Sequence, residues 1–194
     1  MGNHTWGNKD IFSLLEYDNR IIRPANMPQG TPGHGFNRYQ KNGVTIGVIN
    51  VLGRVYMEPM DDPFMAAKNA VLDLQQDCDL IFVDMHAEAT SEKMALGWFL
   101  DGMVTAVFGT HTHVQTSDER ISNKGTAYIT DLGMTGAMYS VLGMERQIVI
   151  DRFVKKLPSK FQLADGAAQI NGALFSIEDG TKTVQSVSRI FVKK

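Results

Sequence analysis

Leu80-Ile81-Phe82-Val83-Asp84-Met85, followed at once by His86, is the stretch on which the fold turns. It is short, almost continuously apolar and contains β-branched side chains, the pattern of a strand buried on both faces, as parallel strands are. Outward from it the pattern recurs at 44–51, after the turn pair Asn42-Gly43, and at 103–108 (MVTAVF). The residues between these runs read as helices. Asp61-Asp62-Pro63 is a helix start ahead of apolar residues at helical spacing over 66–74, and Thr90 and Ser91 can cap a helix over 94–100. Alternating strands and helices predict an α/β fold with a mainly parallel sheet covered on both faces.

Past Gly125 the pattern changes. Strand-like runs at 126–130, 170–177 and 184–192 are separated by turns such as Asn171-Gly172 and Asp179-Gly180, and they read as antiparallel. In 145–157, Ile148, Val149, Phe153 and Val154 suit either a helix face or a strand pair. The segment is read as a strand followed by a turn, ended by Pro158.

At 194 residues, with no internal repeat and no Pro- or Ser-rich linker, residues 1–194 are expected to form a single domain. Apolar residues at 43% and charged residues at 21% exclude a disordered or coiled-coil chain. The 19 basic and 21 acidic residues give a net charge of -2 and leave no basic stripe for a nucleic-acid backbone, so DNA binding is not expected. Cys78 is the only cysteine, which forbids an intrachain disulfide and points to a reducing, cytoplasmic setting. No window approaches the roughly 18 uninterrupted apolar residues of a membrane span, and residues 1–10 lack a signal-peptide layout.

Three of the five histidines fall at strand exits, where ligands of open α/β sheets bind: His86 after 80–85, and His111 and His113 after 103–108 and the turn Gly109-Thr110. An H-x-H pair in extended chain puts both imidazoles on one side. His4 follows Asn3, whose amide oxygen is a hard ligand of the kind found beside imidazole at first-row metals. A metal site is the sharp reading; hydrogen-bonded structural histidines are the plain one. His34, among Gly and Pro, reads as a surface loop residue with a role at the lip of a substrate site as the alternative. Met134, Met138 and Met144 read as core filling, and Cys78 as structural.

The motifs MGNHTW (1–6), RPANMPQGTPGHG (23–35), VDMHAEATSEK (83–93), GTHTHVQTSDE (109–119) and DLGMTG (131–136) occur in the order found in calcineurin-like metallophosphoesterases. Within that superfamily the chain resembles the YmdB-like phosphodiesterases over essentially its whole length. The resemblance implies a metallophosphoesterase sandwich, with mixed β-sheets flanked by helices. It also implies a hydrolase acting on phosphodiesters, cyclic nucleotides of the 2',3' type among them. Two metal ions are implied, with iron expected and manganese or zinc as alternatives. Asn3, His86 and His111 would hold one and His113 the other, and His4 would act as general acid at the leaving oxygen. A bridging hydroxide would be the nucleophile, made accessible by two cations about 4 Å apart. A homo-oligomer is also implied.

The same resemblance makes this sequence the carboxy-terminal two-thirds of the family domain. Two strand-helix units, about 60 residues at ~30 per unit, would stand ahead of it and carry an Asp and a Gly-Glu-Asn that also ligate metal. The family ligands that do have a match here are all neutral. Asp84 and Glu88 lie close to His86 in sequence and read as supporting residues. Two further readings stay open: a non-catalytic nucleotide- or partner-binding module, and a mononuclear zinc hydrolase built on His86, His111 and His113.

Overall fold

The computed structural model describes residues 1–193. Its elements in chain order are α1 (Asp10–Tyr17), β1 (Phe36–Lys41), β2 (Val44–Leu52), α2 (Pro63–Leu74), β3 (Leu80–His86), α3 (Thr90–Phe99) and β4 (Ala106–Thr110). These are followed by β5 (Arg120–Ile121), β6 (Ala127–Ile129), β7 (Gly136–Ala137), α4 (Arg146–Lys155), β8 (Ala168–Ile177) and β9 (Val184–Lys193). A six-stranded sheet runs β1-β2-β3-β4-β6-β5, and a three-stranded sheet runs β7-β8-β9.

The central strands follow from their side chains. In β3, Ile81, Val83 and Met85 are buried while Leu80, Phe82, Asp84 and His86 are half-buried on the opposite face, an alternation of period two. The first set packs under α2, which presents Ala67, Ala70, Val71 and Leu74, and under Leu96 of α3. Helix α2 starts where expected: Asp62 accepts from the N–H of Phe64 at 2.8 Å and of Met65 at 3.3 Å, with Pro63 in the first helical position. The second face of the sheet is covered by the β8–β9 hairpin. Phe175 lies 5.7 Å from Phe82 and 6.4 Å from Phe108, ring centre to ring centre, and Val184 joins Ala106 and Ala127 in the buried contact. Helices, sheet and sheet therefore form three layers.

Strands β2, β3, β4 and β6 are mutually parallel, so their carboxyl ends share one rim, with Leu52, His86 and Thr110 in register across it. The hairpin β1–β2 turns through Asn42 and Gly43, both at positive φ, as the pair requires.

Four expectations are corrected. The run 126–130 is a strand, but it pairs parallel to β4 and only β5 lies antiparallel to it; the antiparallel reading holds for β8 and β9. The third apolar run starts its strand at Ala106 and carries it through Gly109 and Thr110, the pair that reads as a turn in the sequence. Met103 still belongs to the turn that follows α3, its N–H bonded to Leu100 O at 2.9 Å. Segment 145–157 is helix α4 instead of a strand. Glu145 caps it by accepting from Ile148 N at 3.0 Å, and Asp151 takes bonds from Gln147 and Lys155, each at 2.8 Å. Cap and i,i+4 pairs overrule the β-branched content because only Val149 is buried, leaving little sheet packing to compete. Met134, Met138 and Met144 are half-buried, and Met134 and Met138 line an open cavity instead of filling the core.

Candidate metal centre

His86 is the last residue of β3, and the loop that follows β4 carries His111 and His113. Side-chain alternation places His86 on the face that also holds Asp84, and from there a chain of hydrogen bonds runs to its ring. Asn50 Nδ2 donates to Asp84 Oδ2 at 2.7 Å, Thr110 Oγ1 donates to Asp84 Oδ1 at 2.7 Å, and His86 Nδ1 lies 2.9 Å from Thr110 Oγ1. With its proton committed to Asp84, the Thr110 oxygen can only accept from His86, which puts the imidazole proton on Nδ1 and leaves Nε2 as a bare lone pair. That lone pair faces Asn3 Oδ1 at 2.9 Å and His111 Nδ1 at 3.2 Å. His111 Nε2 sits 3.2 Å from Glu88 Oε2; a proton carried on Nε2, toward that carboxylate, would leave Nδ1 free to ligate, whereas one carried on Nδ1 is donated to His86.

Asn3 Oδ1 and His111 Nδ1 thus each lie within about 3 Å of His86 Nε2, and with the His111 proton on Nε2 all three would be acceptors that a cation could share. Ligand atoms each about 2.1 Å from one octahedral cation stand ~3 Å apart, the separation found here. Burial, followed by the neighbouring His111, pushes the His86 imidazole down to about 4, and burial lowers His111 as well. Both rings are therefore neutral near pH 7, the form that ligates. Among the described residues no three His, Cys, Asp or Glu side chains close on one point; Asn3 supplies the third donor. With that donor counted, the residues present fit one cation.

Loop 2–4 reaches the ring only because residue 2 is glycine. A side chain there would collide with the His86 imidazole. The loop is held by Met1 N donating to Ile22 O at 3.0 Å and by Thr5 N to Gly2 O at 3.1 Å. His4 itself is exposed at the start of a single 3-10 turn, Thr5–Gly7, and bonds through its backbone carbonyl to Gly7 N. His34 is exposed too, in a loop shaped by the Arg23 guanidinium donating to Pro24, Thr31 and Pro32 carbonyls.

The H-x-H motif is a turn and not extended chain. His111 has φ 101° and His113 φ 64°, values that cost a non-glycine residue about 1–3 kcal/mol each. The two rings therefore diverge: His111 joins His86 while His113 Nδ1 lies 3.3 Å from Leu142 O. His113 borders a cavity of about 390 Å³ lined by Met134, Met138, Leu142, Asn171 and Phe191 among others. Another cavity, of about 290 Å³, lies at the opposite ends of β3 and β4 beside Gln75, Cys78 and Met103, and holds no histidine.

Sequence reasoning gives Glu88 and Asp84 supporting parts without their partners, and it passes over Thr110, Asn50 and Asp131. Thr110 sits between the GxHxH glycine and histidine, and Asp131 opens DLGMTG, so both lie inside motifs in which the ligands are the conspicuous residues.

The architecture, a mixed α/β fold with a parallel sheet, helices on one face and a small antiparallel sheet on the other, is of the metallophosphoesterase type found in solved phosphatases and 5'-nucleotidases. Within that class the chain belongs to the YmdB-like protein family, which it matches over residues 1–190, and it is a hydrolase of the phosphoesterase kind. It is 48% identical over 192 residues to the 2',3'-cyclic-nucleotide 2'-phosphodiesterase of Bacillus subtilis (strain 168), covering 99% of this chain and 73% of that protein. Among solved structures, a hypothetical protein from Thermus thermophilus superposes with a TM-score of 0.93 at 41% identity, over 100% of this chain and 75% of its own. A novel phosphatase from Mycoplasma pneumoniae does so with 0.90 at 38%, over 100% and 70%. Among the described residues no helix is long and apolar enough to cross a membrane.

Proposed function

We propose that the protein hydrolyses a phosphodiester, of the 2',3'-cyclic nucleotide class, in a cytoplasmic setting and with two bound metal ions. The observation that carries the metal reading is the approach of Asn3 Oδ1 and His111 Nδ1 to His86 Nε2, at 2.9 and 3.2 Å. The substrate class is supported by the activity for which the Bacillus subtilis relative is named. In this reading Asn3, His86 and His111 hold one cation and His113 the other. Bound divalent cations supply charge neutralisation at the phosphoryl oxygens and lower the pKa of water. The chain's own residues do the rest. Asp84 and Thr110 fix the His86 tautomer, and the Glu88 carboxylate, 3.2 Å from His111 Nε2, favours a proton on that nitrogen. Exposed His4, on the loop that carries Asn3, donates the proton the leaving alkoxide needs. The base lies in the cavity beside His113, where Met134, Met138 and Phe191 offer apolar and aromatic surface and Asn171 a polar edge.

Metal stoichiometry is the informative measurement. Purified chain is loaded with Mn²⁺, dialysed, analysed for metal and assayed on 2',3'-cyclic AMP. Bound metal approaching two per chain, with turnover lost by at least about 10³-fold in His86→Ala, is the expected result. One metal per chain would turn the reading to a mononuclear hydrolase. A folded, metal-free and inert protein would turn it to a binding module.

A further inference from the structure

Thr112 stands between His111 and His113, the two residues held at φ 101° and 64°. Such a turn keeps its shape only where its surroundings over-determine it. Both hydrogen-bond donors of Thr112 go to a single carboxylate oxygen. Its N–H donates to Asp131 Oδ2 at 3.1 Å and its hydroxyl donates to the same atom at 2.7 Å. That oxygen also takes Lys93 Nζ, at 2.7 Å, and the side chains of Lys93 and Asp131 are each 1% exposed. The other carboxylate oxygen accepts from Gly133 N at 2.9 Å, so the carboxylate is saturated. The backbone of 131–132 is braced as well. Thr116 N donates to Asp131 O at 3.1 Å, Asp131 N donates to Thr116 Oγ1 at 2.9 Å, and Leu132 N donates to Gly109 O at 2.9 Å.

A buried ion pair is a poor device for stability alone, since dehydrating two charges offsets most of their attraction and an apolar pair packs as well. What an apolar pair lacks is a directed acceptor for Thr112. Resting on the reading of these histidines as metal ligands, we infer that Lys93 and Asp131 are positioning residues. Together they form a closed, water-excluded clamp between α3 and the end of β6 that fixes the His111-Thr112-His113 turn and so the aim of both imidazoles. Lys93 reaches Asp131 past Gly109, where a Cβ would lie 2.8 Å from Lys93 Cδ. The ammonium holds the carboxylate toward Thr112 instead of letting it swing into the cluster as a competing ligand.

The test uses the full 194-residue chain as wild type, Thr112→Val, Thr112→Ser and Asp131→Asn, with folding checked by near-ultraviolet circular dichroism. Ring signals of the histidines are recorded by ¹⁵N-edited NMR without metal, and Mn²⁺ binding is titrated by calorimetry. Thr112→Val is expected to fold, to move the His111 and His113 ring signals, and to weaken Mn²⁺ binding about 10-fold. Asp131→Asn should weaken it ~10–100-fold, and Thr112→Ser, which keeps both donors, should restore wild-type values. Folded Thr112→Val with unmoved ring signals and unchanged Mn²⁺ affinity would overturn the inference, and that variant decides alone if Asp131→Asn does not fold. If the wild type takes up no Mn²⁺ the metal reading falls, while the ring signals still decide whether the clamp sets the turn.

Discussion

The two halves of the sheet's rim are built differently. On one side His86 and His111 meet above β3 and β4, their rings 4.9 Å apart; His86 is fixed by hydrogen bonds that run through Thr110 to Asp84 in the sheet, and His111 lies between His86 and the Glu88 carboxylate. On the other, His113 has a single carbonyl partner and looks into an open cavity walled by loops and the β8–β9 hairpin. Strand ends specify an arrangement because every backbone group there is already committed, whereas loop-borne groups settle only as far as their few partners dictate. In the proposed reading the first half would hold a cation and the second would receive the base of the substrate. The same substitution placed in each half should expose the difference. Gly109→Ala drives a methyl group into the Thr130 carbonyl oxygen, a backbone atom that cannot rotate away. It should cost more than the ~3 kcal/mol that ordinary over-packing reaches, read as a lowered urea midpoint. In Gly136→Ala the nearest atom stands 3.6 Å off, on the flexible Met134, and stability should stay within about 1 kcal/mol. Equal losses would mean that the rim is uniformly packed.

Legibility follows the same line. Strands β2 and β3 and helix α2 are plain from 44–51, 80–85 and 66–74, because hydrophobic period and burial coincide there. Helix α4 reads as a strand because Ile148, Val149, Phe153 and Val154 look like strand residues, and what decides between the two is a cap and two surface pairs. The histidines are legible from their places after strands. The positive φ of His111 and His113 is not, since nothing in the motif besides its glycine signals a turn; the conformation is imposed by Asp131, 20 residues on in sequence from His111. Residues that act by saturating another group leave no period and no spacing to read.

A smaller effect is expected from protons. Burial holds the His86 ring at about 4, against ~6.5 in the unfolded chain. Between those values the unfolded state binds the proton that the native state refuses. The contribution is therefore fully present above ~6.5 and is lost as pH falls toward 4, by at most about 1.4 kcal/mol per pH unit for one proton. His111, lowered by the same cause, acts in the same direction. In metal-free protein, urea midpoints measured from pH 7 to 4.5 should fall more steeply for the wild type than for His86→Gln, which cannot take the proton. Parallel slopes would show that the ring is not excluded from water, and the rigid half of the rim would lose its distinction from the open one.

The smallest stability change, and the most pointed test of the open half, is at Phe191. It lies across the hairpin from Asn171, is 52% exposed and lines the cavity beside His113. An exposed aromatic ring removed from a strand should change stability by no more than about 0.5 kcal/mol. If the ring instead serves as a platform for a base, stacking is worth ~1–3 kcal/mol, and a half-exposed face lies at the low end of that range. Phe191→Ala should therefore raise KM for 2',3'-cyclic AMP about 5-fold and leave kcat nearly unchanged, because the ring touches the base and not the reacting phosphorus. Ethylene cyclic phosphate, which carries no base, should be hydrolysed equally well by both proteins. A loss shared by the two substrates would place Phe191 in the architecture of the site and leave the cavity without a claim on the base.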